Sequence, residues 1–96
     1  MKPQNFLFIL SDQHHRMASG AYGHPVVQTP HLDALAARGT RFQNAYTNCP
    51  ICVPARASLA TGRYVHQTGY WDNGHPYDGG IPSWHQGLRE QDFRCD

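Results

Sequence analysis

Five consecutive apolar residues, Phe6-Leu7-Phe8-Ile9-Leu10, end abruptly in Ser11-Asp12-Gln13-His14-His15. A short apolar run bounded by polar groups is the pattern of a strand covered on both faces, because a strand with one wet face alternates instead. The run is too short for a signal-peptide core of about 7–15 apolar residues, or for a spanning helix of about 20. A doubly covered strand belongs to a parallel sheet flanked by helices, and the residues that follow fit one. Thr29-Pro30 reads as a helix start, with Thr at the N-cap and Pro in the first turn. Leu32, Leu35 and Ala36 supply an apolar face, and Gly39 a stop. Residues 40–46 alternate polar and apolar and read as a second strand. The order strand, helix, strand predicts a parallel α/β unit.

Residues 47–53 read as a loop and 54–61 as a helix closed by Gly62. Residues 63–82, rich in Gly, Asn, Asp, Pro and aromatics, read as a long functional loop. Ser83 to Arg89 reads as a further helix, and Phe93-Arg94-Cys95 as the start of a third strand. Two strands and the beginning of a third do not close a doubly wound sheet, so residues 1–96 are expected to be an incomplete domain. At 96 residues the chain has room for one domain at most, with a small core. Its 40% hydrophobic and 16% charged residues place it among globular rather than disordered chains. A net charge of +1, with no basic block, gives no footing for nucleic acid or an anionic membrane surface. Three cysteines are an odd number and too few for a disulfide scaffold, so the simple expectation is a cytoplasmic protein with reduced thiols.

The strongest chemical signal is Cys52-Val53-Pro54-Ala55-Arg56, followed by Ala57-Ser58-Leu59-Ala60-Thr61-Gly62-Arg63. Proline is tolerated in the first turn of a helix, where no intrahelical N–H bond is lost. That puts Cys52 at or just before a helix N-terminus, where free N–H groups and the helix dipole favour an anion. Arg56 lies one turn further in and offers a fork of hydrogen bonds to an oxyanion. A nucleophile, an anion-binding helix end and a positioned Arg suit the transfer of a tetrahedral oxyanion group. Asp12 ends the first apolar run, and the carboxyl ends of strands in open α/β sheets are where ligand chemistry collects.

The run Cys-x-Pro-x-Arg with a following Leu-x-Thr-Gly resembles the formylglycine motif of type I sulfatases. Phe6 to Gln13, Thr29-Pro30-His31-Leu32-Asp33 and Arg41 to Thr47 resemble the flanking blocks of the same family, in the same order. The resemblance implies the first part of an alkaline-phosphatase-like α/β/α sandwich with a mostly parallel sheet. It implies that a formylglycine-generating enzyme oxidises Cys52 to an aldehyde, whose hydrate attacks sulfur and then collapses to release sulfate. Arg56 would hold and polarise that hydrate. Asp12, Gln13 and residue 52 would face a divalent cation, calcium first, with manganese or magnesium as alternatives. Many sulfatases carry Asp at the position of Gln13. The Asp-Gln pair resembles the branch of choline sulfatases and phosphonate monoester hydrolases, as do Trp71-Asp72-Asn73-Gly74 and Ile81-Pro82-Ser83-Trp84. By that match Asn73 would reach the sulfate group. The family's Gly-Lys-x-His segment and its late metal ligands do not occur in residues 1–96, so this segment alone is expected to be inactive.

The leading expectation is hydrolysis of a small-molecule sulfate monoester, by a chain that needs no nucleic acid and no membrane and is compatible with a homo-oligomer. Phosphonate or phosphate ester hydrolysis by the same apparatus is the alternative. A reading from another class takes Cys49-Pro50-Ile51-Cys52 as a redox pair or half a zinc site. No second such pair and no thioredoxin-like context accompanies it. A further rival is a catalytically inactive homologue with a structural role. Cys49 and Cys95 are expected to be buried structural thiols, and the histidines polar loop residues. The aromatics Tyr64, Tyr70, Trp71, Tyr77 and Trp84 could cage a quaternary ammonium, but ordinary packing under a long loop is the simpler expectation.

Overall fold

The computed structural model describes residues 5–95, which belong to two compact units, one ending at Gln43 and the other beginning at Asn44. Among the described residues of the first unit the α-helix is α1, Pro30–Arg38, with Thr29 at its N-cap and Gly39 after its last turn, as the sequence predicts. Its apolar face differs from expectation. Leu32 and Leu35 are 51% and 56% exposed, and the residue turned inward against the preceding loop is Asp33.

A polar lock explains that orientation. Thr29 Oγ1 accepts from the Gly20 N–H at 2.9 Å and donates to Asp33 Oδ1 at 2.8 Å. The same Asp33 oxygen accepts the Ala21 N–H at 2.7 Å. The Thr29 hydroxyl therefore serves the single 3-10 turn Gly20–Tyr22 rather than the first amides of its own helix. A Cβ on Gly20 would lie 2.5 Å from Asp33 Oδ2, so a larger residue 20 would push that carboxylate out of the lock.

No strand forms among the described residues. Residues 5–11 have no ladder partner there, and Phe6, Leu7 and Ile9 stay 83%, 81% and 78% exposed. A strand exists only through hydrogen bonds to another, so apolar pattern alone does not make one. Around 40–46 the reason is more specific. The Phe42 carbonyl accepts from the Tyr22 hydroxyl at 2.6 Å, and the Gln43 carbonyl accepts from Arg16. Side chains thus hold carbonyls that a neighbouring strand would need. Arg41 also lies 5.0 Å above the Tyr22 ring, a cation–π contact. Residues 93–95 are likewise irregular.

The second unit is organised by α2, Cys52–Thr61. The helix begins two residues before the expected Pro54. Proline stands at its third position, where its missing N–H is one of the donors that no helix satisfies internally. Gly62 closes it with a left-handed φ of 68° and a 2.8 Å bond from its N–H to the Ser58 carbonyl. Pro54, Ala57 and Ser58, spaced i, i+3, i+4, are its buried residues, and α2 packs on α3 and α4. Helix α3, Val65–Thr68, interrupts the segment expected to be a continuous loop. The Gln67 side chain accepts the Tyr64 N–H at 2.9 Å and caps it. Helix α4, Trp84–Arg89, follows Ser83 as expected, with the Gln86 side chain accepting the Ser83 N–H at 2.6 Å. No helix among the described residues is long and apolar enough to cross a membrane.

Candidate active site

Helix α2 puts Cys52 at its first position, exposed, and Arg56 four residues on, also exposed. Residues i and i+4 of a helix lie on one face, one above the other, so the thiol and the guanidinium share a side of α2. The helix begins after extended Ile51, and the loop before it is tied down. The buried Ser58 hydroxyl donates to Asn48 Oδ1 at 3.2 Å, and Thr47 Oγ1 closes a local turn by donating to the Cys49 carbonyl at 2.9 Å.

Asn73 reaches the same helix end from twenty residues away. Its Oδ1 accepts the Val53 N–H at 2.9 Å. Of the donors that a helix leaves open in its first turn, Pro54 thus lacks one by chemistry and Val53 spends its own on Asn73. The family resemblance implies Asn73 as a contact of the sulfate group. The structure adds that its amide oxygen is engaged by the protein, so the amide NH2 is the end available to donate to another group.

The loop that delivers Asn73 is built from two aspartate turns. Asp72 Oδ1 accepts the Gly74 N–H at 2.8 Å, and Asp78 Oδ1 accepts the Gly80 N–H at 2.8 Å. Across the loop the Tyr70 hydroxyl donates to Asp78 at 2.5 Å, with the Tyr70 ring buried. Tyr70 meets the Tyr77 ring edge-on at 5.6 Å and the His75 ring at 6.4 Å. The Tyr70 hydrogen bond, then the Gly80 N–H, hold the Asp78 carboxyl below the usual carboxylate range. The same bond, then burial, push the Tyr70 phenol up.

A carboxylate lowered in the folded state adds stability above its ordinary range and loses it as pH falls through the lowered value. A phenol that is raised keeps its contribution at neutral pH and loses it as pH rises beyond its ordinary value. The loop is therefore expected to hold across neutral pH and to loosen at both extremes. Trp71 fluorescence followed from pH 7 down to about 2 should show a transition that Tyr70→Phe shifts toward higher pH, because the donor that lowers Asp78 is gone. An identical titration in Tyr70→Phe would show that the pair does not govern the loop.

The remaining aromatics fall into separate pairs. Tyr64 stacks on His66 at 5.7 Å and Trp84 on His85 at 3.6 Å. Trp71 is 59% exposed. Packing of this kind, not a single ring of aromatics, is what the described residues display. Cys49, Cys52 and Cys95 are free thiols, and Cys49 and Cys95 are half-buried rather than buried as expected.

Asp12 and Gln13 belong to the first unit. They follow the apolar run after Ser11, and Gln13 has a left-handed backbone with φ 55°, rare for a residue with a side chain. Such outliers concentrate at turns and functional sites, where the surroundings enforce them. A carboxylate and an amide oxygen are hard donors of the type calcium or magnesium takes. They are two ligands where calcium takes about six to eight, and among the described residues no cluster of three His, Cys, Asp or Glu is disposed to hold a metal. The donor chemistry fits a hard divalent cation, and the rest of its shell would have to come from other groups.

A family model described as Sulfatase matches residues 4–91. A protein of Escherichia coli named uncharacterized sulfatase YidJ is 47% identical over 73 residues, 76% of this chain and 15% of that protein. Human N-sulphoglucosamine sulphohydrolase is 47% identical over 70 residues, 73% of this chain and 14% of that protein. Human arylsulfatase K is 33% identical over 93 residues, 97% of this chain and 17% of that protein. The chain thus spans about a sixth or less of the length of these curated relatives. No solved structure matches it. The family match covers nearly every residue and takes in the helix that carries Cys52, Pro54 and Arg56: the chain belongs to the sulfatase family.

Proposed function

We propose that this chain is the nucleophile-bearing part of a sulfuric ester hydrolase that uses a formylglycine made from Cys52 and a divalent cation, calcium by preference. The observation that carries the reading is the placement of Cys52 at the first position of α2 with Arg56 one turn on along the same face. The enzyme is expected to be an α/β sandwich with a mostly parallel sheet, in which residues 5–11 find their strand partners. That expectation is motivated by the bare apolar residues Phe6, Leu7 and Ile9.

When formed, the hydrated aldehyde supplies at residue 52 a nucleophilic oxygen with a built-in path for releasing sulfate. The chain's own residues prepare the place. The first turn of α2 presents its positive end to an incoming tetrahedral anion. Arg56 neutralises charge and orients oxygen atoms through its fork. The Asn73 amide NH2 is available to donate to a nonbridging oxygen. Asp12 and Gln13 would hold the cation through oxygen, and a cation in that place polarises substrate oxygen and steadies developing charge.

Peptide mass spectrometry of the complete enzyme, purified active, tests the central claim. Residue 52 is expected at a lower mass than cysteine and reactive toward an aldehyde-specific hydrazine. Turnover is expected to be greater for an aryl sulfate than for an aryl phosphonate monoester. Active enzyme bearing only unmodified thiol at position 52 refutes the formylglycine reading, and the reverse substrate order moves the assignment to phosphonate hydrolysis.

A further inference from the structure

The bond between Asn73 and Val53 does more than place a donor near the site. It joins residues twenty apart in sequence, and it is made by the one polar end of Asn73 that an anionic substrate would not use. A sulfate oxygen needs donors, whereas Oδ1 accepts. Asn73 is itself pinned within its loop: Asp72 takes the Gly74 N–H, and the Tyr70–Asp78 bond ties together the residues on either side. Val53 is the residue next to Cys52, in the least supported turn of the helix, and Ile51 at the N-cap offers no side-chain bond. A remote amide thus does the work that a Ser, Thr, Asp or Asn N-cap would otherwise do.

We infer that Asn73 is a positioning residue for residue 52: its amide oxygen caps the Val53 N–H and holds the first turn of α2, with Cys52 on it, in fixed register with the loop built on Tyr70, Asp72 and Asp78. This rests on the reading of Cys52 as the reacting residue. It goes beyond contact with the sulfate group, because it assigns the oxygen of Asn73 a role independent of what its nitrogen binds. The two ends separate chemically. Asn73→Asp keeps an acceptor for Val53, removes the NH2 donor and adds a negative charge. Asn73→Leu has nearly the same shape and makes no hydrogen bond.

The test uses the complete enzyme with three readouts: hydrogen–deuterium exchange resolved to the Cys52 and Val53 amides, the thermal midpoint, and kcat and KM for an aryl sulfate. In Asn73→Leu, exchange at Val53 is expected to rise about tenfold, the order of one lost helix cap, and kcat to fall by a similar factor. In Asn73→Asp, exchange at Val53 is expected to stay within about twofold of wild type. Its kcat should recover above that of the Leu variant, while KM rises because the new charge repels the anionic substrate. Wild-type exchange at Val53 in Asn73→Leu, with the thermal midpoint unchanged, overturns the cap. Protected Val53 in Asn73→Asp without any recovery of kcat over Asn73→Leu overturns positioning and leaves Asn73 as a donor only. If the wild-type enzyme turns over no sulfate ester, the functional reading fails. The exchange readout still decides whether Asn73 holds the turn that carries residue 52.

Discussion

Replacing Cys52 with alanine in the complete enzyme is expected to lower turnover of a sulfate ester by about 10⁴-fold or more, the loss seen when a covalent nucleophile is removed from a preorganised site. The structural cost should be small. Cys52 is exposed at the first position of α2, and alanine is the best helix former, so neither a cavity nor a propensity penalty arises. Unchanged thermal unfolding beside lost turnover would therefore assign the effect to chemistry. Serine makes the sharper comparison. Its hydroxyl can attack sulfur once, but the ester left on residue 52 then has no neighbouring hydroxyl to expel it. Cys52→Ser is expected to release at most about one alcohol per enzyme and to keep a sulfated residue 52, visible by peptide mass. Steady turnover in either variant above about a tenth of wild type would remove residue 52 from the centre of the reaction.

What the sequence made legible is what local chemistry encodes. Pro30 and Gly39 bracket α1, Gly62 ends α2 with its left-handed φ, and Ser83 with Gln86 opens α4, all within a residue or two of where they were expected. Helix α2 was readable because a proline in the first turn and a glycine after the last leave few other conformations. The expected strands depend on partners, and no pattern within residues 5–11 or 40–46 supplies one. At 40–46 the carbonyls of Phe42 and Gln43 are taken by Tyr22 and Arg16, a non-local event that alternation does not report. Helix α3 is not legible by propensity, because Val65, His66 and Thr68, three of its four residues, are weak helix formers. Its signal was the Gln67 side chain, which reaches back to cap Tyr64. Asp72-Asn73-Gly74 and Asp78-Gly79-Gly80 share an Asp-x-Gly spacing that foretells their turns. By contrast, the bond from Val53 to Asn73 spans twenty residues, and no spacing rule announces it. The place of Asp33 at the centre of a lock depends on the approach of Gly20 and Ala21, which no spacing within its own helix reports.

Arg56→Ala is expected to cost about 10²- to 10³-fold in kcat, the range for removing one donor from an oxyanion site, and Arg56→Lys about tenfold. The reasoning turns on separating charge from geometry. Arg56 lies within α2, where lysine is as good a helix former as arginine, so the helix should not notice the exchange. Lysine keeps the positive charge one turn from residue 52. It loses the planar fork that meets two oxygens at once, and its ammonium sits on a flexible stem. If Arg56 serves mainly as a counter-charge for an anionic substrate, lysine should preserve kcat and KM alike. If it orients the oxygens of residue 52 and the sulfate group, lysine should lower kcat with little change in KM, because the interaction matures as charge develops. The second pattern is the expected one, since an exposed guanidinium screened by water gains little from charge alone, whereas bidentate geometry is retained. Less than about a twofold change in both variants would return Arg56 to the status of a surface charge. It would also leave the shared face of Cys52 and Arg56 without chemical meaning.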